Sequence, residues 1–320
     1  SALATTDIPA TAFFFITAYF LYRIAAEGAS WKKTVIASLF FAMGLASKHT
    51  TLLITPFIIA AFALSLRKTT FKKTVLLLAA FAVSSYLFVW VVYGFNFHSG
   101  SPGYLPPDWS LVKPSSLVSF FRWLSDWKFL PESYLYGLAG SVAGTGSGRA
   151  AFFMGEHSST GWPAYFATAF LIKTPVPTIS FLAASLLYLA KEKESRVKAL
   201  FVILPPLLIF LAFSSQKVNI GLRHILPAYP FLFVLIGFVT SIKTESVKLA
   251  RAVFYGGIVW YACAAALIFP HQLAYFNEFI GGPKNGYKYL VDSNLDWGQD
   301  LTGLKEFMVN NKIERIKLAY

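Results

Sequence analysis

Long apolar runs dominate this 320-residue chain. They recur with lengths of about 15–22 residues, close to what an α-helix needs to cross ~30 Å of hydrocarbon. We place spans at about 9–25, 34–47, 51–66, 74–95, 175–190, 199–214, 224–241 and 251–269. The runs are continuous and not alternating, which selects helices over a β-barrel. Only 13% of residues are charged, where a soluble domain carries about 25%. The expected class is an all-α polytopic membrane protein with about eight transmembrane helices.

Charge then orients the spans. The short loops joining spans on one side carry 14 of the 28 cations and only four of the 15 acids, a net of +10. The much longer segments on the other side carry the remaining 14 cations and 11 acids, a net of +3. Short basic loops face the cytoplasm. The N-terminus, the loop 96–160 and the tail 270–320 are therefore expected outside. Topology accounts for the basic balance, so no nucleic-acid partner is implied. Cys263 is the only cysteine and lies within an apolar run, so cysteine says nothing about compartment. The abrupt entry from Ser1 into the first span, and a strand-like alternation over 313–320, read as an internal piece of a longer protein.

The first outer turn, around 47–50, is very short. In the outer loop, residues 115–124 have the pattern of an amphipathic helix lying in the interface. Residues 137–148 are rich in glycine and read as a mobile stretch; they lack the Gly-Lys-Ser/Thr ending of a phosphate-binding loop. A second interfacial helix is expected over 161–172, with Trp162, Tyr165 and Phe166 at headgroup level, ended by Pro175 and Pro177. A short helix is expected from Asp300 to about Val309. The division is a transmembrane domain over 1–270 and the start of an outer soluble domain over 271–320. No internal repeat is visible, which weakens a transporter built from duplicated halves.

The polar residues that can do chemistry gather on the outer side. Asp7, before Pro9, reads as a helix start, and equally as a group for a metal or an acceptor hydroxyl. Lys48 can snorkel to the surface or bind phosphate. Arg223, followed by His224, offers a planar fork suited to phosphate oxygens. With Lys173 at the proline break, these cations suit an anionic lipid headgroup. Glu156 and His157 are adjacent and point to opposite faces if extended. The run 291–301, with Asp292, Asp296, Trp297 and Asp300, reads either as a turn with local caps or as carboxylates and an indole gripping a sugar. A divalent metal is left open, with Asp7, Glu156 and His157 as candidate ligands.

Several segments occur in a telling order: Thr6 to Pro9, Gly44 to Lys48, Gly155 and Glu156 before Gly161 and Trp162, Leu171 to Pro175, Arg223 to Pro230, and Asp292 to Leu301. Their pattern resembles the polyprenyl-phosphate-dependent glycosyltransferases of the protein O-mannosyltransferase type, in the GT-C class. More distantly it is similar to the aminoarabinose transferases that modify lipid A. The resemblance implies a membrane enzyme that moves a sugar, with inversion, from a polyprenyl phosphate to a hydroxyl of a protein, lipid or glycan. It implies an active site on the outer face of a cell membrane, here expected to be bacterial or archaeal. Asp7 matches the family's second outer acid and is the catalytic candidate. Lys48, Lys173, Arg223 and His224 are candidates for the lipid phosphate. Glu156, Asp292, Asp296, Trp297 and Asp300 are candidates for the acceptor or sugar. The family's general base belongs to an outer loop ahead of the segment matching Asp7, so the piece in hand is expected to be inactive alone. The rival reading is a transporter or flippase of a polyprenyl-linked sugar. The polar groups favour chemistry at one face, because a transporter keeps such groups at mid-membrane.

Overall fold

The computed structural model describes residues 5–98, 105–242 and 247–317. Helix accounts for 72% of it and strand for 2%, which settles the class as mostly helical. Each expected span overlaps an α-helix, in places extended by 3-10 turns. The first helices are α1 (Asp7–Glu27), α2 (Trp31–Ser47), α3 (Thr55–Ser65) after a 3-10 turn over His49–Ile54, and α4 (Phe71–Val92). The first half is followed by α5 (Ser116–Asp126), α6 (Glu132–Ser147), a hairpin of β1 (Ala151–Phe153) and β2 (Glu156–Ser158), and α7 (Tyr165–Lys173). Then come α8 (Val176–Lys191), α9 (Lys193–Ser214), α10 (Tyr229–Ile236), α11 (Val247–Leu267) and α12 (Leu301–Asn310). Among the described residues four stretches are long and apolar enough to cross a membrane: α1, α4, Leu222–Ser241 and Lys248–Leu267. α7 and α8 form a pair bent by 114°, and His49–Ser65 and Phe201–Ser214 are shorter apolar helices.

α1 is the axis of the bundle. It packs on α2, α3 and the 3-10 segment Leu222–Ala228, and buries Phe14, Leu21 and Ile24. Its 21 residues span roughly 30 Å, one bilayer core. Gly28 ends it with a φ of 87°, its amide donating to the Ile24 carbonyl at 3.0 Å. A side chain there would meet Thr69 Oγ1 at 2.9 Å. Glycine thus lets two basic loops touch, and they are tied by Ala29 N to Thr69 Oγ1 (3.1 Å) and Lys68 Nζ to the Ala26 carbonyl (2.6 Å). Lys243 and Glu245 of a further basic loop lie outside the described residues.

At the other end of α1, α2 turns sharply into the His49–Ile54 segment. Gly44 makes this turn: a Cβ on it would come within 2.7 Å of the Thr51 methyl. The Lys48 amide still closes on the Gly44 carbonyl at 2.8 Å. Lys48 is thereby held at the mouth of the bundle.

The outer loop is more ordered than its glycines suggest. The expected amphipathic helix forms as α5, capped by Ser115 Oγ accepting from Val118 N at 3.2 Å. Its Leu117, Phe120, Trp123 and Trp127 are exposed on one side, as an interfacial helix requires. The glycine-rich stretch 137–148 is helix, not a mobile loop: it belongs to α6, and Gly148, at φ 77°, closes it. Each interior glycine costs about 1 kcal/mol of helix propensity. Packing offsets this, since Ala139 is fully buried against Val112 and Val118. A helix forms over Tyr165–Lys173 as α7, but it is not laid in an interface: Tyr165 and Phe166, expected at headgroup level, are 1% and 0% exposed and belong to the main core, with Trp162 packed against it. The strand-like alternation at the end does not give a strand: residues 313–317 are irregular, and 318–320 lie outside the described residues.

The tail folds back on the bundle in short 3-10 turns. Phe276 and Leu290 join the main core. Asn277, 1% exposed, donates through Nδ2 to the carbonyls of Leu171 (2.6 Å) and Thr174 (2.7 Å), satisfying the end of α7 where Pro175 breaks the ladder. α12 forms where expected and buries none of its side chains.

Candidate active site

Asp7 begins α1, where a carboxylate also complements the helix dipole. It does not cap the helix. Its Oδ1 accepts from Lys48 Nζ at 2.5 Å, and its Oδ2 lies 3.9 Å from Arg223 Nη1. The Asp7 side chain is 5% exposed, against 23% for Lys48 and 26% for Arg223. Three segments distant in sequence thus meet at one buried carboxylate. The Arg223 guanidinium also stacks on the Trp297 ring, 4.2 Å from its centroid. Arg223 Nε and His224 Nε2 are buried polar atoms without a hydrogen-bond partner. The His224 ring packs against Phe166 and Phe213.

A cleft of about 810 Å³ opens beside this cluster. One wall is the turn 47–50, another the inner face of α6, a third the end of α9. Lys48, His49, Arg149 and His224 are its basic residues; Leu45, Leu52, Leu53, Leu138 and Phe213 make much of the rest apolar. α6 is seated on the turn through His49 Nδ1 and Ser141 Oγ at 3.2 Å, and His49 meets the Tyr134 ring edge-on. Burial pushes the Tyr134 phenol up to about 12, so it lines the cleft in its neutral form. A cleft that is basic at one point and apolar elsewhere matches an anion carried on a hydrocarbon chain.

The run 291–301 divides between anchoring and exposure. Asn294, fully buried, donates to Tyr165 Oη (2.8 Å) and the Val291 carbonyl (3.0 Å), and its Oδ1 accepts from Leu222 N (3.0 Å). Ser293 Oγ donates to the Ile220 carbonyl at 2.6 Å. Gly221 must be glycine for this contact, since a Cβ would fall 2.1 Å from that oxygen. These bonds fix the run beside the Arg223 segment and bring Trp297 over its guanidinium. Asp292 is exposed, with a left-handed φ of 60°, and accepts from Ser293 N. Asp296 Oδ1 accepts from Asp300 N at 3.3 Å, and Asp300 Oδ1 lies 3.8 Å from His271 Nδ1.

Lys173 points into the fold. Its ammonium donates to the carbonyls of Leu273 (2.8 Å), Tyr275 (3.1 Å) and Asn294 (2.6 Å) and lies over the Phe276 ring. All three protons are engaged, so the lysine clamps the tail to the end of α7. Glu156 and His157 are exposed on the hairpin, whose turn at Met154 and Gly155 has positive φ at both positions. They pair with Phe153 and Phe152 and do not join Asp7. Among the described residues no three His, Cys, Asp or Glu side chains gather as a metal site. Asp7 has both oxygens on cations, so the geometry derives no step through a metal.

Sequence reasoning missed Arg149, Asn277 and the anchoring role of Asn294. Arg149 had a signal: it is the one cation between Lys128 and Lys173. The two asparagines had none, because an asparagine in a polar loop looks the same whether it is buried or not. No curated protein and no solved structure matches the chain. Residues 1–93, which carry Asp7 and Lys48, match the sequence model of the dolichyl-phosphate-mannose-protein mannosyltransferase family, of GT-C type.

Proposed function

We propose that this protein is a membrane glycosyltransferase that moves a mannose-like sugar from a polyprenyl phosphate to a hydroxyl acceptor, with inversion, at the outer membrane face. The observation that carries the reading is the buried Asp7 carboxylate with Lys48 and Arg223 on it, beside a cleft that is basic at one point and apolar elsewhere. The match of residues 1–93 to a mannosyltransferase family supports glycosyl transfer as the chemistry. The meeting of two basic loops at the far end of α1 supports a cytoplasmic face there and an outer face at Asp7. In this reading the eight expected helices all span, α5 lies in the interface, and the tail from 271 opens an outer domain. The membrane is that of a bacterium or archaeon.

In the reaction the acceptor oxygen bonds to the anomeric carbon as the bond from that carbon to the phosphate oxygen breaks. The electron pair stays on the phosphate, and the hydroxyl proton passes to a general base or to water. Negative charge therefore grows on the phosphate, and fixed cations there stabilise the transition state more than the donor. Lys48 and His224 line the cleft as phosphate contacts, and Arg223 is the third group, held by Asp7 and Trp297. Asp7 orders the cations and Lys173 holds the tail. Trp297 and the carboxylates of the 291–301 run face the sugar or acceptor, which is a protein, lipid or glycan. Glu156 contributes from the hairpin.

The test is to incubate membranes containing the full-length protein with a radiolabelled polyprenyl-phosphate sugar. Label on an acceptor is the expected result. Label that crosses the bilayer still joined to its lipid would overturn the reading in favour of a flippase.

A further inference from the structure

We propose that Arg149 is a donor-phosphate contact, and that the glycines of α6 keep open the channel through which the prenyl chain leaves it. This rests on the reading above and adds both a residue and a seat for the chain. The charges decide the first half. Lys48 is held by Asp7, and Arg223 shares that carboxylate. Arg149 lines the same cleft, is exposed, and among the described residues has no carboxylate within ion-pair distance. One acid and three cations leave two uncompensated positive charges. The donor phosphate, a diester, carries one negative charge; the departing monoester carries close to two at neutral pH. The cluster without Arg149 balances the donor, and with Arg149 it balances the leaving group. Arg149 therefore acts on turnover more than on donor affinity. Its planar fork suits two oxygens of one phosphate.

The second half rests on the wall of the cleft. Gly140 and Gly144 are one helical turn apart on α6, both line the cleft, and a Cβ added to either meets open space. A helix otherwise gains from alanine at such positions. Here, side chains would project into the volume beside Leu138 and Leu52, the apolar part of the lining. A smooth wall is what a long branched hydrocarbon needs in order to lie along it.

The experiment uses the full-length protein in its membranes with two donors, a long-chain polyprenyl-phosphate sugar and a short-chain analogue of one or two isoprene units. Product binding is measured with polyprenyl phosphate and with inorganic phosphate. Arg149→Gln should lower kcat with both donors by roughly ten- to a hundredfold, weaken polyprenyl phosphate and inorganic phosphate alike, and change KM less than kcat. Gly144→Leu should raise KM for the long donor and leave the short donor and inorganic phosphate unchanged. A Cβ at position 144 meets open space and Arg149 is exposed, so folding, checked by the thermal midpoint in detergent, should be unchanged. Unaltered kcat and phosphate binding in Arg149→Gln would overturn the first half, and equal loss on both donors in Gly144→Leu the second. If the full-length wild-type protein transfers no sugar, the glycosyltransferase reading itself fails, and the phosphate-binding arms still report on Arg149.

Discussion

α1 begins and ends on a carboxylate. At its start Asp7 meets Lys48 and Arg223; at its end Glu27 meets Arg23 and Lys33. The charge count is the same, one acid and two cations, and the environments are opposite. Glu27 takes its partners locally: Arg23 is one helical turn back, at 2.8 and 2.9 Å, and Lys33 lies six residues on. Its side chain is 46% exposed. Such a pair is solvated, screened by salt and contributes little. Asp7 draws its partners from 41 and 216 residues away, and its side chain is 5% exposed. Burying Asp7 with two half-buried cations carries a desolvation cost that mutual attraction only partly offsets. The difference teaches that the Glu27 cluster finishes a helix, whereas the Asp7 cluster is kept for what it does to a neighbour.

Four substitutions test that contrast, taken from the largest effect to the smallest. Lys48→Ala removes the cleft's lysine and leaves Asp7 with the longer contact alone. Sugar transfer in membranes should fall by about a hundredfold or more, and an initial rate within twofold of wild type would erase the distinction between the two ends. Asn294→Ala removes three hydrogen bonds at a fully buried position. It should destabilise the protein by about 2 kcal/mol, read as a lower denaturation midpoint in detergent, with transfer reduced because the Trp297 run loosens. Trp297→Leu removes the ring beneath Arg223, a contribution of about 1 kcal/mol. Transfer should drop several-fold while the midpoint stays near wild type. Glu27→Gln should change neither transfer nor midpoint; a loss of activity there would mean that the exposed cluster also takes part in the reaction.

What the sequence made legible follows from how local each signal is. Hydrophobic runs marked the helices, because that signal acts within one segment. The amphipathic pattern at 115–124 and the prolines at 175 and 177 marked α5 and the α7–α8 bend for the same reason. Asp7, Lys48 and Arg223 stood out as polar groups at the ends of apolar helices, and they do meet. The glycine-rich α6 misled, because glycine lowers helix propensity locally while the packing of Ala139 that offsets this is tertiary. Lys173 illustrates the limit: from sequence it is another cation at the outer face, yet three backbone carbonyls from the tail absorb its protons. Whether a lysine faces a ligand or its own chain depends on folding that joins residues 173, 273 and 294.

The most direct measurement is where a lipid phosphate binds. A photoreactive polyprenyl phosphate would be cross-linked to the protein in membranes and the labelled peptides identified by mass spectrometry. The account predicts label in 45–53 and 133–149, the two walls of the cleft, and its loss when unlabelled polyprenyl phosphate competes. Label confined to the basic loops around Lys33 and Lys68, or to the exposed surface of α11, would contradict it.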